Sequence, residues 1–232
     1  MRRAEDEREY LDGLLSRRDR DVALADIDRL SAWFGGYALT MGAVRRLLDA
    51  APRGPRAPVV VDVGGGRGDL ARRLVRAVRR RGGRVRVVLL DRDEEGLALA
   101  AETCRDCPEI LRVCADAAAL PFRDEGVDVT MTSLVVHHLS PDAAVASLES
   151  MRAVARLGVV VNDLLRTRLS WLLVVMATRL FARHGVSRHD GPLSVRRAYA
   201  PGELRVLCEK AGWRRFIIRR YPLLGRLLVI AW

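Results

Sequence analysis

From residue 58 onward the chain alternates between short continuous apolar runs and longer segments with helical spacing. APVVVDV, ending at Val63, holds four valines with almost no polar interruption, as a central strand buried on both faces requires. A helix is predicted over 69–81, closed by Gly82 and Gly83, and RVRVVLLD, ending at Asp91, is a second strand. A helix over 94–103, a strand over 111–115 and a strand over 127–133 follow. In LSPDAAVASLESMRAVARLG, Ser140 suits the cap, Pro141 the first helical position and Gly158 the stop, and a fifth strand follows over 159–163. The pattern breaks over 164–200 and resumes with a helix over 201–211. The tail carries two β-prone runs separated by Pro222 and Gly225, a connection too short for a crossover, so its strands pair antiparallel. The expected architecture is α/β: seven strands, mostly parallel with an antiparallel C-terminal hairpin, and helices on both faces.

Residues 1–50 read as helical, with Ile27, Leu30, Phe34 and Leu39 near helical spacing and a break at Gly35-Gly36. They predict a helical cover on the sheet's carboxyl edge, joined by the linker APRGPRAP. The chain thus divides into a cover and linker over 1–57 and a main domain over 58–232 with an insert at about 164–200.

At 232 residues there is room for one well-buried domain and one active site. The net charge of +11 comes from 40 basic residues of which only Lys210 is lysine. Because the arginines are spread over almost every segment, a solvated basic surface is the plain reading; an anionic partner such as RNA is the second. The opening MRRAEDEREYLDGLL lacks the apolar stretch of a secretory signal, so a cytoplasmic setting is expected. Cys104, Cys107, Cys114 and Cys208 form no framework, and the single CxxC of CRDCP has no second pair to complete a metal site, so no metal is expected.

The glycine-rich turn VVVDVGGGRGD places Gly64, Gly66 and Gly68 after the first strand, with Asp62 two residues before the first of them. A dinucleotide fingerprint needs its third glycine one place later, where Asp69 stands and would face the pyrophosphate. S-adenosylmethionine has no phosphate and carries a sulfonium and an ammonium, so acids at the turn suit it. Asp62 and Asp69 are placed for its amino-acid end, Asp91 at the end of the second strand for the ribose, and Asp116 with Ala117 for the adenine; Arg92 and Ser133, at the ends of the second and fourth strands, complete the set.

VVVDVGGGRGD, VVLLD, CADAAALPF and VDVTMTSLVVHHLS together resemble the successive motifs of class I S-adenosylmethionine-dependent methyltransferases, over a stretch from about Val59 to the terminal hairpin. The resemblance implies the Rossmann-like methyltransferase fold and S-adenosylmethionine as cofactor. DRLSAWFGGY, VVVNDLLRTRLSW and SRHDGPLSVRRAYAPGEL also resemble small bacterial methyltransferases of polyketide and phenolic-lipid pathways.

An oxygen acceptor needs a base to remove its proton, and the chain offers four histidines. His189 beside Asp190, in the insert, is the first candidate; His138, just beyond the fourth strand, is the second, while His137 reads as structural and His184 as a surface residue. Asn162 and Asp163 could hydrogen-bond the acceptor. LSWLLVVMAT, half a bilayer span, predicts a helix packed over an apolar acceptor pocket, with docking on an anionic membrane as a minor alternative. Trp33, Phe34 and Tyr37 could line the same pocket. The expected reaction is methylation of a hydroxyl on a small phenolic, polyketide-like or lipid-like acceptor; RNA methylation is the alternative, although the fourth strand lacks the Asn-Pro-Pro-aromatic turn that grips a base nitrogen.

Overall fold

A computed structural model describes every residue except Pro52, Arg53 and Pro55, on which part of the expected linker falls. Seven strands form one sheet: β1 (Val59–Val63), β2 (Arg86–Asp91), β3 (Ile110–Cys114), β4 (Val127–Ser133), β5 (Ala155–Leu164), β6 (Phe216–Tyr221) and β7 (Arg226–Ala231). Their order is β3-β2-β1-β4-β5-β7-β6, parallel from β3 to β5, with β7 antiparallel to both neighbours. The helices are α1 (Arg17–Trp33), α2 (Gly36–Asp49), α3 (Asp69–Arg79), α4 (Glu94–Thr103), α5 (Pro141–Val154), α6 (Arg168–Phe181), α7 (Gly185–Arg197) and α8 (Pro201–Lys210). This is the Rossmann-like methyltransferase architecture.

The pleat sends Val60 and Val61 to opposite faces, each into its own core. Val60, Leu89 and Met131 meet Val44, Leu74 and Ala100 of α2, α3 and α4. Val61, Val161 and Val229 meet Leu148, Met151 and Leu204 of α5 and α8. Leu148 and Met151 are fully buried, and truncating either to Ala should cost about 2–5 kcal/mol.

The amino-terminal segment splits at Gly35, which takes the left-handed conformation (φ 74°) that glycine tolerates best. Only α1 crosses the carboxyl edge; α2 joins the α3–α4 layer, where Asn162 Nδ2 donates to Gly36 O (2.7 Å) and Thr40 Oγ1 (2.8 Å).

Gly158 does not stop a helix. α5 ends at Val154 and the chain passes directly into β5, where Gly158 pairs with Val129 at φ 152°. A Cβ there would lie 2.2 Å from Ala231 O, so the glycine admits the close approach of β7. The ladder to two neighbouring strands outweighs the local stop signal.

Between β1 and β4 the chain reverses its direction of travel across the sheet, which opens the crevice where ligands bind in open α/β folds. The insert forms α6 and α7 beside that opening, and the strap over residues 3–12 closes over it. Ala4 N–H donates to Arg196 O, and the N–H groups of Tyr10 and Leu11 donate to the two Asp190 oxygens, each at 2.9 Å.

Candidate active site

The crevice is one cavity of about 610 Å³ running from the glycine turn to the inner faces of α6 and α7. At the end nearest β1 Gly64, Gly65 and Gly66 expose backbone to the space. Gly64 has φ 70°, and a Cβ on it would sit 2.5 Å from Val135 Cγ2. Gly68 is not in the lining: it precedes α3 at φ 80°, and its missing Cβ makes room for Cys104 Sγ, which explains that buried thiol.

Asp91 accepts Gly66 N–H at 2.8 Å on one oxygen and Asp93 N–H at 3.0 Å on the other. That fixes the carboxylate at the rim and leaves a lone pair on each oxygen for a diol. Arg92, Asp116, Ala117 and Ser133 line the same end, and Asp116 is held by accepting Ala118 N–H at 2.8 Å. Asp69 is taken up by Arg67, whose guanidinium approaches its two oxygens at 2.9 and 3.2 Å.

Asp62 is different. It is buried, its Oδ2 has no hydrogen-bond partner among the described residues, and burial, aided by the neighbouring charge of Asp91, pushes its carboxyl up to about 8. An orphaned carboxyl oxygen facing a cavity fits a cationic ligand and opposes a phosphate, so the residues present fit S-adenosylmethionine.

At the other end the elements converge on His137. Its Nδ1 lies 2.6 Å from Asp163 Oδ1, and its own backbone N–H donates to Asp163 Oδ2 at 3.0 Å. Burial pushes the Asp163 carboxyl up, but the imidazole and the amides of Leu164 and His137 outweigh it and hold the group below the usual carboxylate range. The Nε2 atom lies 3.7 Å from Oε1 of Glu9, a strap residue whose carboxyl burial raises to about 7. His138 stands alongside, with Nδ1 3.1 Å from Asp12 Oδ1 and Nε2 3.7 Å from Glu9 Oε2.

Among the described residues, Glu9, His137 and His138 form the one group with the composition of a metal site. The guanidinium of Arg197, 3.9 Å from the same Glu9 oxygen, already places a positive charge there and opposes a second cation. The arrangement suits proton transfer better than metal ligation.

The two leading candidates from the insert do not converge on His137. His189 is outside the cavity lining, its side chain 42% exposed and its ring stacked on Tyr10 at 4.0 Å. Asp190 does line the cavity, but its oxygens hold the strap. His184 caps α7 and contacts Asp19 at 3.1 Å. Tyr37 lines the cavity, whereas Trp33 and Phe34 are exposed and meet Phe181 outside it.

The pairing of His137 with Asp163 was within reach of the sequence. His137 follows the carboxyl end of β4 and Asp163 is the penultimate residue of β5, adjacent strands in which Ser133 is in register with Asn162. Glu9 carried no such signal, because no periodicity marks the strap. The cavity also meets Arg226, a buried guanidinium whose Nη2 donates to Ser31 Oγ (3.2 Å) and whose Nη1 has no hydrogen-bond partner among the described residues.

Residues 60–158 match the family model described as a methyltransferase domain. No curated protein matches the chain. Among solved structures, a SAM-dependent methyltransferase from Aquifex aeolicus is 19% identical, with a TM-score of 0.55 over 81% of this chain and 86% of that one. Human N-acetylserotonin methyltransferase, solved with SAM, is 16% identical with a TM-score of 0.63 over 92% of this chain. The pyocyanin biosynthetic protein PhzM is 22% identical with a TM-score of 0.57 over 84%. This chain spans 56% and 54% of the last two, and at these identities the likeness speaks to the fold. Residues 60–158 thus form a methyltransferase domain, set in a fold shared with S-adenosylmethionine-dependent methyltransferases, and the residues of the crevice fit S-adenosylmethionine as its cofactor.

Proposed function

We propose that this enzyme methylates a hydroxyl of a small, largely apolar phenolic or polyketide-like acceptor, with His137 as general base and Asp163 as the group that orients it. One observation carries the reading: a buried imidazole on the cavity wall, fixed through Nδ1 by a carboxylate, with Nε2 left 3.7 Å from the Glu9 carboxyl. Bound S-adenosylmethionine supplies an electrophilic methyl on a sulfonium. The chain's part is to align the acceptor, exclude water and take its proton.

With Nδ1–H donated to Asp163, the lone pair of His137 is on Nε2. An acceptor oxygen can lie within hydrogen-bond reach of both Nε2 and Glu9 Oε1, which are 3.7 Å apart. As the methyl transfers, His137 takes the proton and Asp163 stabilises the imidazolium without itself becoming protonated. Leu164 and Val174 give the acceptor end an apolar lining, and Arg226 offers it one free donor. Human N-acetylserotonin methyltransferase and the CMeT domain of the citrinin polyketide synthase are similar in fold.

His138 is the second reading for the base, being held by Asp12 in the same cavity. RNA has no support from the comparisons, and the arginines of α3, which phosphate contact would need free, are engaged by Asp28, Asp106 and Glu109.

The test is transfer from labelled cofactor to a panel of long-chain phenols, with His137→Gln, His138→Gln and Asp163→Asn compared. His137→Gln and Asp163→Asn should each lose about 10²–10⁴-fold in kcat while binding cofactor normally. Losses confined to His138→Gln would move the role one residue along; normal turnover in all three would remove the base.

A further inference from the structure

α6 is apolar on the wrong side. Its buried face carries Ser170 and Thr178, while Leu169, Leu172, Met176 and Leu180 form a stripe at helical spacing toward solvent. The stripe continues beyond the helix. Phe181 meets Trp33 edge-on at 5.5 Å and Phe34 at 6.3 Å, and Leu224 packs beside Gly35 next to them, with Leu223 82% exposed. Parts of the chain distant in sequence thus build one exposed apolar patch, of the kind that marks an interaction surface.

The charge around it is one-sided. From Leu164 to His189 the chain contains five arginines and no Asp or Glu. Arg168, Arg179 and Arg183 border the stripe and have no carboxylate within ion-pair distance among the described residues. The contrast with α3, where Arg72, Arg73, Arg76 and Arg79 are all matched by acids, is direct. Trp33 and Trp171 are both partly exposed at this surface, where indole rings suit the boundary between water and acyl chains.

We infer that this patch docks on an anionic lipid bilayer, with the α6 stripe, Trp33 and Leu223 seated among the acyl chains and the three arginines among the headgroup phosphates. A second copy of the chain is a poorer occupant. A two-fold interface would set the same patch against itself and bring arginines against arginines, whereas lipid phosphates neutralise them. No helix among the described residues is long and apolar enough to cross a membrane, so the contact is peripheral. Because Val174 and Thr178 on the inner side of α6 line the cavity, the docked helix also forms the wall between bilayer and acceptor end. The outer face of α6 can dock whichever residue acts as base.

The test is co-sedimentation of the purified protein with vesicles of phosphatidylcholine alone and of phosphatidylcholine containing phosphatidylglycerol, at low and moderate salt. The protein should partition onto the anionic vesicles and weaken as salt rises. Arg179→Gln should lower partitioning about fivefold, the equivalent of about 1 kcal/mol per arginine at an anionic surface. Met176→Glu with Leu180→Glu, at two exposed positions that leave the core untouched, should abolish it while cofactor binding is retained. No binding of the folded protein to anionic vesicles overturns the inference, as does binding that the double variant leaves intact. A dimer in sedimentation velocity that the double variant dissolves, without vesicle binding, assigns the patch to a second copy and overturns it equally.

Discussion

The free carboxyl of Asp62 should make cofactor affinity depend on pH. With burial and Asp91 raising it to about 8, the group is roughly nine-tenths protonated at neutral pH in the free enzyme. The ammonium of S-adenosylmethionine favours the ionised form, so binding must first drive off a proton. Ionising Asp62 one unit below its pKa costs about 1.4 kcal/mol, which is tenfold in apparent Kd. Affinity should therefore weaken about tenfold for each pH unit between roughly 7.5 and 6, the window below the titration of the cofactor's own amine. Calorimetry in buffers of different ionisation heat should show close to one proton released per cofactor bound near neutral pH. Asp62→Asn, isosteric and neutral, should lose both the slope and the proton release. A flat affinity in the wild type, or a slope that survives in Asp62→Asn, would refute the reasoning and move the titration to another group such as Glu9. The sign for stability is opposite to that for binding. Between about 4 and about 8 the folded protein holds a proton that the unfolded chain lacks, so the cofactor-free enzyme loses stability as pH rises through that window. Asp62→Asn should remove that loss.

Gly64 and Gly82 share a positive φ, but a Cβ meets Val135 at 2.5 Å in the first and nothing within 4 Å in the second. Gly64→Ala should therefore cost about 1–3 kcal/mol more than Gly82→Ala in chemical denaturation, and equal costs would show that Val135 yields freely. His189→Ala should keep near-normal turnover, since the ring is stacked on Tyr10 outside the cavity; a loss of about a hundredfold would return it to the role of base. Arg226→Met should raise KM at least about tenfold for a long-chain dihydroxybenzoate while sparing the matching resorcinol, because the unpartnered Nη1 is available to a carboxylate. An equal change for both acceptors would limit Arg226 to packing.

The glycine-turn half of the cavity was legible in the sequence because it is local. The turn from Asp62 to Asp69 is one strand-to-helix connection, and Asp91 ends the neighbouring strand in a register that continuous apolar runs dictate. Even there the reading of Gly68 needed the structure, since its neighbour Cys104 comes from a different helix. The acceptor half depends on contacts between distant segments. His189 and Asp190 are adjacent in sequence and do touch, at 2.8 Å, yet that contact lies on the rim and Asp190 is occupied with the strap. The pair that faces the cavity, His137 and Asp163, is separated by 26 positions and joined only by the parallel pairing of β4 with β5. Glu9 reaches the same point from a strap held by hydrogen bonds to α7, which leave no periodic trace. α6 shows the same limit in another form. Its ten uncharged residues predicted burial, but hydrophobicity cannot say which side of a helix the fold will cover. Here the fold covers Ser170 and Thr178 and leaves the leucines outside, so the segment that sequence reading assigned to core packing is where a partner surface has to be sought.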